Sequence, residues 1–345
     1  MKKTEIVRHL IREDEISFKR IFNLIKNYFY LIARNPKPNG YPSILMIEPT
    51  NFCNLKCPLC PSGNNTLLRK RGFMDFDNYR KIIDELGDYL INLTLWNYGE
   101  PFLNKSIYEM IEYAKRKRIF VRVSTNGHFF NNKENIDKLI KTGLDNLIVS
   151  LDGASQKTFM IYRKKGNFDE VINNMKLVVK EKRKLNSKLP FIELQFIVMK
   201  QNEHEIPKMK MLAKDIGVDK LTLKTVNITM GAKEKDIKER KGYIPDLTEF
   251  SRYYDNNGKV IRKKIIRNKC TRLWLSSVIN WDGSVNPCCY DSLGKYNLGN
   301  AFEKGFKSVW EDKKYVNFRK TIIKNKKNIP ICYDCPGTFF GININ

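Results

Sequence analysis

Residues 43–61 read SILMIEPTNFCNLKCPLCP: a strand-length apolar run that passes through Glu-Pro-Thr into a loop carrying Cys53, Cys57 and Cys60. Downstream the same plan repeats. Apolar stretches at 91–98, 120–126, 146–153, 191–199 and 220–226 alternate with amphipathic stretches at 75–89, 105–118, 133–143, 168–184 and 206–217. Strands separated by helix-length amphipathic segments predict a parallel sheet with right-handed crossovers. Gly143 and Gly217 stand where helices end, the position glycine fills most readily. Six such units fit a doubly wound α/β sheet or a partial (β/α)6, TIM-like barrel, and the pattern alone does not choose.

In parallel α/β folds, ligands sit at the carboxyl ends of the strands. The first strand ends there in the three cysteines. The second ends in Tyr98-Gly99-Glu100-Pro101, the third in Ser124-Thr125-Asn126-Gly127 and the fourth in Ser150-Leu151-Asp152-Gly153. One rim therefore collects three thiols, an acid for an ammonium (Glu100) and groups for hydroxyls or carboxylates (Ser124, Asn126, Ser150, Asp152). Three thiolates at Cys-x3-Cys-x2-Cys spacing can hold three irons of a cubane and leave the fourth open. Tetrahedral zinc asks for a fourth ligand, and no His or further Cys is near in sequence.

CNLKCPLCP at 53–61, YGEP, STNG and SLDG together resemble the radical S-adenosylmethionine (SAM) superfamily over roughly residues 43–226. The resemblance implies a partial (β/α)6 barrel that binds a [4Fe–4S] cluster through Cys53, Cys57 and Cys60, with SAM on the open iron. It also implies reductive cleavage of SAM to a 5′-deoxyadenosyl radical that abstracts hydrogen from a substrate. Tyr98, Gly99 and Glu100 match the motif at the SAM amino group. Ser124, Asn126 and Ser150 match carboxylate- and ribose-binding positions, and Arg163 a basic residue near the carboxylate. Leu59 departs from the aromatic residue common before the third cysteine, and Tyr98 from the first Gly of the usual Gly-Gly-Glu.

A second cysteine set follows a stretch of about 210 residues without any. Cys270, Cys288, Cys332 and Cys335 could close either a cluster or a zinc site by spacing alone. Cys…Gly-x4-Cys…Cys-x2-Cys resembles the SPASM or twitch regions appended to radical SAM barrels. That likeness implies one auxiliary [4Fe–4S] cluster and an oxidative outcome. Cys289 is surplus, either a small buried apolar side chain or an alternative ligand. Asp291 is a candidate base beside the substrate, or a solvated loop carboxylate. Residues 278–285 carry an Asp282-Gly283 hairpin turn, and 306–322 read as one amphipathic helix. The expected layout is thus an N-terminal helix and linker (1–42), the barrel (43–226), a connector (227–269), a small cysteine-rich auxiliary-cluster domain (270–337) and a tail (338–345).

Eight cysteines without an export signal argue against a disulfide scaffold, and no apolar run approaches bilayer length. A cytoplasmic enzyme is expected, with a peptide or small-molecule substrate and an electron donor such as flavodoxin or ferredoxin. The net charge of +26 suits an anionic membrane surface, an acidic substrate or the drift of a lysine-rich proteome. Helical spacing over 15–33 fits either a helix lying on such a membrane or one packed across the barrel bottom. A metal-stapled basic protein contacting RNA or membrane is the competing reading; the aromatic–basic interleaving of an RNA platform is not evident.

Overall fold

A computed structural model describes residues 17–229, 234–256, 259–263, 268–333, 335 and 343–344. Positions 15 and 16 of the expected first helix and most of the 338–345 tail lie outside the described residues. The elements in order begin with α1 (Phe18–Ile32), β1 (Ile44–Ile47), α2 (Phe76–Leu86), β2 (Asn92–Leu95), α3 (Ile107–Arg116) and β3 (Phe120–Thr125). Next come α4 (Lys133–Lys141), β4 (Asn146–Ser150), α5 (Gln156–Tyr162), α6 (Phe168–Lys184), β5 (Phe191–Val198), α7 (Ile206–Ile216) and β6 (Lys220–Thr225). Apart from short helical turns, the remainder is α8 (Glu234–Arg240), β7 (Tyr253–Asn256), β8 (Lys259–Arg262), β9 (Ser276–Ile279), β10 (Val285–Asn286), α9 (Phe306–Glu311), α10 (Lys313–Asn325) and β11 (Asn343–Ile344).

Strands β1 to β6 pair in parallel and in sequence order, the arrangement of a partial barrel. One face carries Leu45, Ile47, Leu93, Leu95, Val123 and Phe196, all sealed under the helices. On the opposite face Met46, Arg122, Ser124, Gln195, Ile197 and Lys224 remain partly open. The sheet therefore wraps an accessible lumen instead of a packed interior. Gly217 ends α7 in the left-handed region (φ 81°), as expected of a helix-stopping glycine.

Three features refine the sequence expectation. First, the C-terminal cysteine-rich region is joined to the barrel sheet: β9 pairs in parallel with β1, and β10 turns back antiparallel on β9. The Asp282-Gly283 hairpin thus extends the barrel sheet itself. Second, the helix expected over 306–322 breaks at Asp312, which is extended (ψ 149°) and caps α10 by accepting the Lys314 N–H at 2.8 Å. Third, α1 packs across the amino-terminal ends of the strands, but with its polar face inward.

The reason for that inversion is local. Carbonyls of Gly87, Lys117, Arg118 and Tyr41 crowd the barrel bottom and need donors. Arg20 donates to the first three; Asn23 and Asn27 both donate to Tyr41. Asn27 is fully buried, while Phe18, Ile25, Phe29 and Ile32 are 60 % exposed or more. No helix among the described residues is long and apolar enough to cross a membrane.

Candidate functional site

The cysteine loop is held from three sides by the next strand ends. Gly99 has φ +88°, and a Cβ there would come within 2.4 Å of the Thr50 carbonyl, so only glycine lets β2's end cross so close. The Glu100 N–H then donates to the Phe52 carbonyl at 2.7 Å. From β3, Asn126 Nδ2 donates to Asn54 Oδ1 at 2.7 Å. From beyond β4, Arg163 reaches Cys57 with Nη1 4.0 Å from Sγ. Strands β2, β3 and β4 thus converge on residues 52–57, as their shared rim requires.

Within this rim several expected ligands are committed to the protein. Glu100 is 2 % exposed, and its carboxylate accepts from the Asn126 N–H (2.7 Å), Thr125 Oγ1 (2.8 Å) and the Phe102 N–H (3.2 Å). Burial pushes it up to about 7 against these bonds. It clasps β2 to β3, so its side chain is not an open ammonium anchor. Arg163 and Asp152 form a buried pair: Nε and Nη2 donate to Oδ2 at 2.7 and 2.6 Å, and Oδ1 accepts the Ile197 N–H at 2.7 Å. Ser124 and Ser150 sit on the lumen face of adjacent strands, with hydroxyls bonded to no other described residue.

The thiols lie in an apolar nest of Leu55, Leu59, Tyr162, Met199, Val226 and Ile228. Burial lifts Cys53 to about 11 and Cys57 to about 12. Metal-free, Cys53 and Cys57 keep their protons; iron would displace them. The Leu55 N–H donates to Cys53 Sγ at 3.4 Å, and Arg163 places positive charge beside Cys57. Among the described residues no three His, Cys, Asp or Glu side chains converge as for a single metal ion. The donor set of three thiols in one buried loop, with an N–H···S bond and one cation, suits an iron–sulfur cube that takes one thiolate per iron.

The second set gathers around Cys270, which acts electrostatically on Cys288 and Cys332 and feels Cys335. Burial is the main cause that raises all three of Cys270, Cys288 and Cys332, the last to about 12. Two cations missed in the sequence stand beside them. Arg272 approaches Cys289 Sγ at 4.0 Å, and Lys326, 1 % exposed, donates to the Cys335 carbonyl and lowers Cys332 against its burial. Position two after Cys270 could have marked Arg272; nothing distinguishes Lys326 within its lysine run. Cys289 is half-buried, not sealed as a small core side chain would be.

Asp291 is neither solvated nor an open base. It is 2 % exposed, and its two oxygens accept the Lys295 and Tyr296 N–H groups, each at 2.9 Å. It pins the turn that follows Cys288 and Cys289. Two further contacts missed in the sequence bind this turn to the rim. Tyr98, 6 % exposed, donates its hydroxyl to the Cys289 carbonyl at 2.8 Å. Arg69 forks onto buried Glu48 (2.7 and 2.9 Å) and donates Nε to the Ser292 carbonyl at 3.2 Å.

Comparison with known proteins agrees with this geometry. A family model described as the radical SAM superfamily matches residues 47–213, and one described as an iron–sulfur cluster-binding domain (SPASM) matches 270–336. The tungsten-containing aldehyde ferredoxin oxidoreductase cofactor-modifying protein of Pyrococcus furiosus is 24 % identical over 84 % of this chain and 86 % of its own length. A probable GTP 3′,8-cyclase of Saccharolobus solfataricus is 30 % identical over 65 % of this chain and 68 % of its own. Among solved structures, Streptococcus suis SuiB bound to its precursor peptide SuiA shares the fold, with TM-score 0.61, 17 % identity and coverage of 91 % of this chain and 73 % of that one.

Proposed function

Since this chain belongs to the radical SAM superfamily and carries a SPASM iron–sulfur region, we propose that it oxidises or otherwise modifies a peptide or small-molecule substrate by hydrogen abstraction. Its cofactors are SAM, the SAM-binding [4Fe–4S] cluster and auxiliary iron–sulfur. When bound, they supply reductive cleavage of SAM to methionine and a 5′-deoxyadenosyl radical, which takes a hydrogen atom from the substrate, and an acceptor for the substrate's electron. Family membership sets aside the reading of a non-catalytic RNA- or membrane-binding module.

Cys53, Cys57 and Cys60 would hold the first cluster, and Cys270, Cys288, Cys332 and Cys335 a single auxiliary one. The apolar nest excludes water from the thiols, and Arg163 and Arg272 offset their charge. Tyr98 couples the two regions by bonding the loop of one to the turn of the other. The lumen-facing hydroxyls of Ser124 and Ser150 remain available to SAM. A low-potential donor such as flavodoxin or ferredoxin would deliver the initiating electron.

The observation that carries this reading is the convergence of three successive strand ends on residues 52–57. The test is anaerobic reconstitution followed by dithionite and SAM: 5′-deoxyadenosine should form, and the Cys57→Ala variant should form none. Full iron loading without 5′-deoxyadenosine would sink the reading. We further propose that the enzyme rests on an anionic bilayer through α1; this reading is supported by the outward side chains Phe18, Phe22, Ile25 and Phe29, with Lys19 and Lys26 on the same helix.

A further inference from the structure

The lumen face of β3 to β6 carries more positive charge than the fold uses. Arg122 lies mid-way along β3 with 26 % of its side chain open. Its Nε donates to Asn146 Oδ1 at 2.9 Å, its guanidinium stands 5.9 Å over the Trp96 ring, and Glu193 is only loosely paired at 3.7 Å. The ammonium of Lys224, on the same face of β6, has no hydrogen-bond or ion-pair partner among the described residues and feels Arg122, Arg252 and Lys220 as well as Glu193. Burial takes its ammonium down to about 8; Glu193's attraction opposes this and the three cations add to it. Among the described residues, Arg122, Lys220 and Lys224 thus share the one carboxylate of Glu193 in a poorly solvated channel, an arrangement that an incoming anion relieves.

The position is also right for a substrate. Lys224 pairs in register with Ile197, and Ile197 packs against the nest that holds Cys53, Cys57 and Cys60. Val226, two residues beyond Lys224, belongs to the same nest. A group bound between Arg122 and Lys224 would lie just beneath the rim where SAM is cleaved.

We propose that the lumen between β3 and β6 is a subsite for an oxyanion of the substrate, a carboxylate or phosphate, held by Arg122 and Lys224 with Trp96 as its apolar wall. The fork of Arg122 suits a planar or tetrahedral oxyanion, and Lys224 supplies a second charge across the channel. Asn146 holds Arg122 in place, and Glu193 is the repulsive element that screens out weakly charged ligands. This rests on the radical SAM reading for the substrate's role, though not for the binding itself.

The experiment is equilibrium dialysis of labelled inorganic phosphate and labelled succinate against the anaerobically reconstituted holoenzyme, with and without saturating SAM. Choline serves as the cationic control. One saturable site is expected for phosphate or succinate and none for choline, and the stronger of the two anions tells phosphate from carboxylate chemistry. Lys224→Met should weaken binding at least tenfold and Lys224→Arg should restore it. Glu193→Gln should tighten it several-fold, which a merely structural role for this cluster would not do. Iron content and circular dichroism check that each variant is loaded and folded, and Arg122→Lys provides the second arm if Lys224→Met is not. Absence of saturable binding, or binding that Lys224→Met and Glu193→Gln leave unchanged, overturns the proposal as adventitious adsorption to a basic chain. Labelled SAM run in parallel separates the two ideas: anion binding without SAM binding would sink the radical chemistry and leave the subsite standing.

Discussion

Replacing Arg163 by methionine decides whether this residue is a structural clamp or a direct SAM ligand. Asp152 has a fully buried side chain, and among the described residues Arg163 supplies both of the N–H groups on Oδ2 and its one ion pair. Methionine fills much of the same volume but strands the carboxylate. Breaking a buried pair by removing one partner costs about 3–5 kcal/mol. A second, smaller effect follows at Cys57, whose thiol loses the guanidinium that favours its ionised form. The assay is chemical denaturation of the cluster-free chain, compared for wild type, Arg163→Met, Asp152→Asn and the double variant. The double variant should be more stable than Arg163→Met alone, because the stranded charge is gone, and the cycle should show coupling of about 2 kcal/mol or more. A cost below about 1 kcal/mol for Arg163→Met, with additive single effects and lost SAM binding, would refute the clamp and return Arg163 to the SAM carboxylate.

Glu100 should leave a pH signature in stability. Its folded pKa of about 7 lies above the ordinary 4.5, chiefly through burial. Its contribution is therefore fully present below pH 4.5 and lost as pH rises through 7, a fall of about 3 kcal/mol at 1.36 kcal/mol per unit. Glu100→Gln cannot ionise, so the wild-type-minus-variant stability difference should drop across that window in the cluster-free chain; a flat difference refutes the assignment. Asp291→Asn should turn one amide hydrogen toward a backbone N–H, loosen the Cys288 turn and lower auxiliary iron loading, whereas a base would keep its iron and lose only turnover. For α1, wild type should co-sediment with phosphatidylglycerol vesicles and not with phosphatidylcholine. Phe22→Glu/Phe29→Glu should abolish this, since burying two phenylalanines contributes about 3–6 kcal/mol; equal sedimentation would refute the membrane face. Finally, anion binding in the lumen should weaken as pH rises through about 8, where Lys224 loses its proton, and Lys224→Met should lack that step.

The parallel strands were legible because their apolar runs and intervening amphipathic helices carry their own periodicity. The Cys53, Cys57 and Cys60 spacing was legible because it is a local property, whereas the crossing of Gly99 over the Thr50 carbonyl was not, since its partner lies on another strand end. What pairs with Glu100, Arg163 or Asp291 was not, since the donors and acceptors that claim them come from other strand ends. The sequence can say that a carboxylate reaches the rim but not that three N–H or O–H donors already occupy it. The direction of α1 was hidden for a similar reason. Helical spacing marks two faces, and hydrophobicity assigns the apolar one inward by default. Here the strand-end carbonyls of Gly87, Lys117 and Tyr41 set a stronger demand for donors, which Arg20, Asn23 and Asn27 meet.

The least legible feature is the one that joins the two cysteine sets. Strand β9 has four residues, and its partner β1 lies more than 200 positions away, so no local signal marks the pairing. Yet the pairing fixes the geometry of the site. Strand β1 leads into Cys53 and β9 leads, through β10, into Cys288; both strands run in the same direction at neighbouring positions of one sheet. Because β10 turns back antiparallel before Cys288, strand direction alone does not bring the two loops together, and side chains make the contact between them. Tyr98 and Arg69 then bridge from the first loop's surroundings to the Cys289 and Ser292 carbonyls. The continuous sheet at this junction ties the two cysteine sets to one framework, as the proposed transfer of an electron from substrate to an auxiliary cluster would require. Weakening that junction, by removing the Tyr98 hydroxyl with Tyr98→Phe, should leave the first site's iron intact and slow only steps that need both sites.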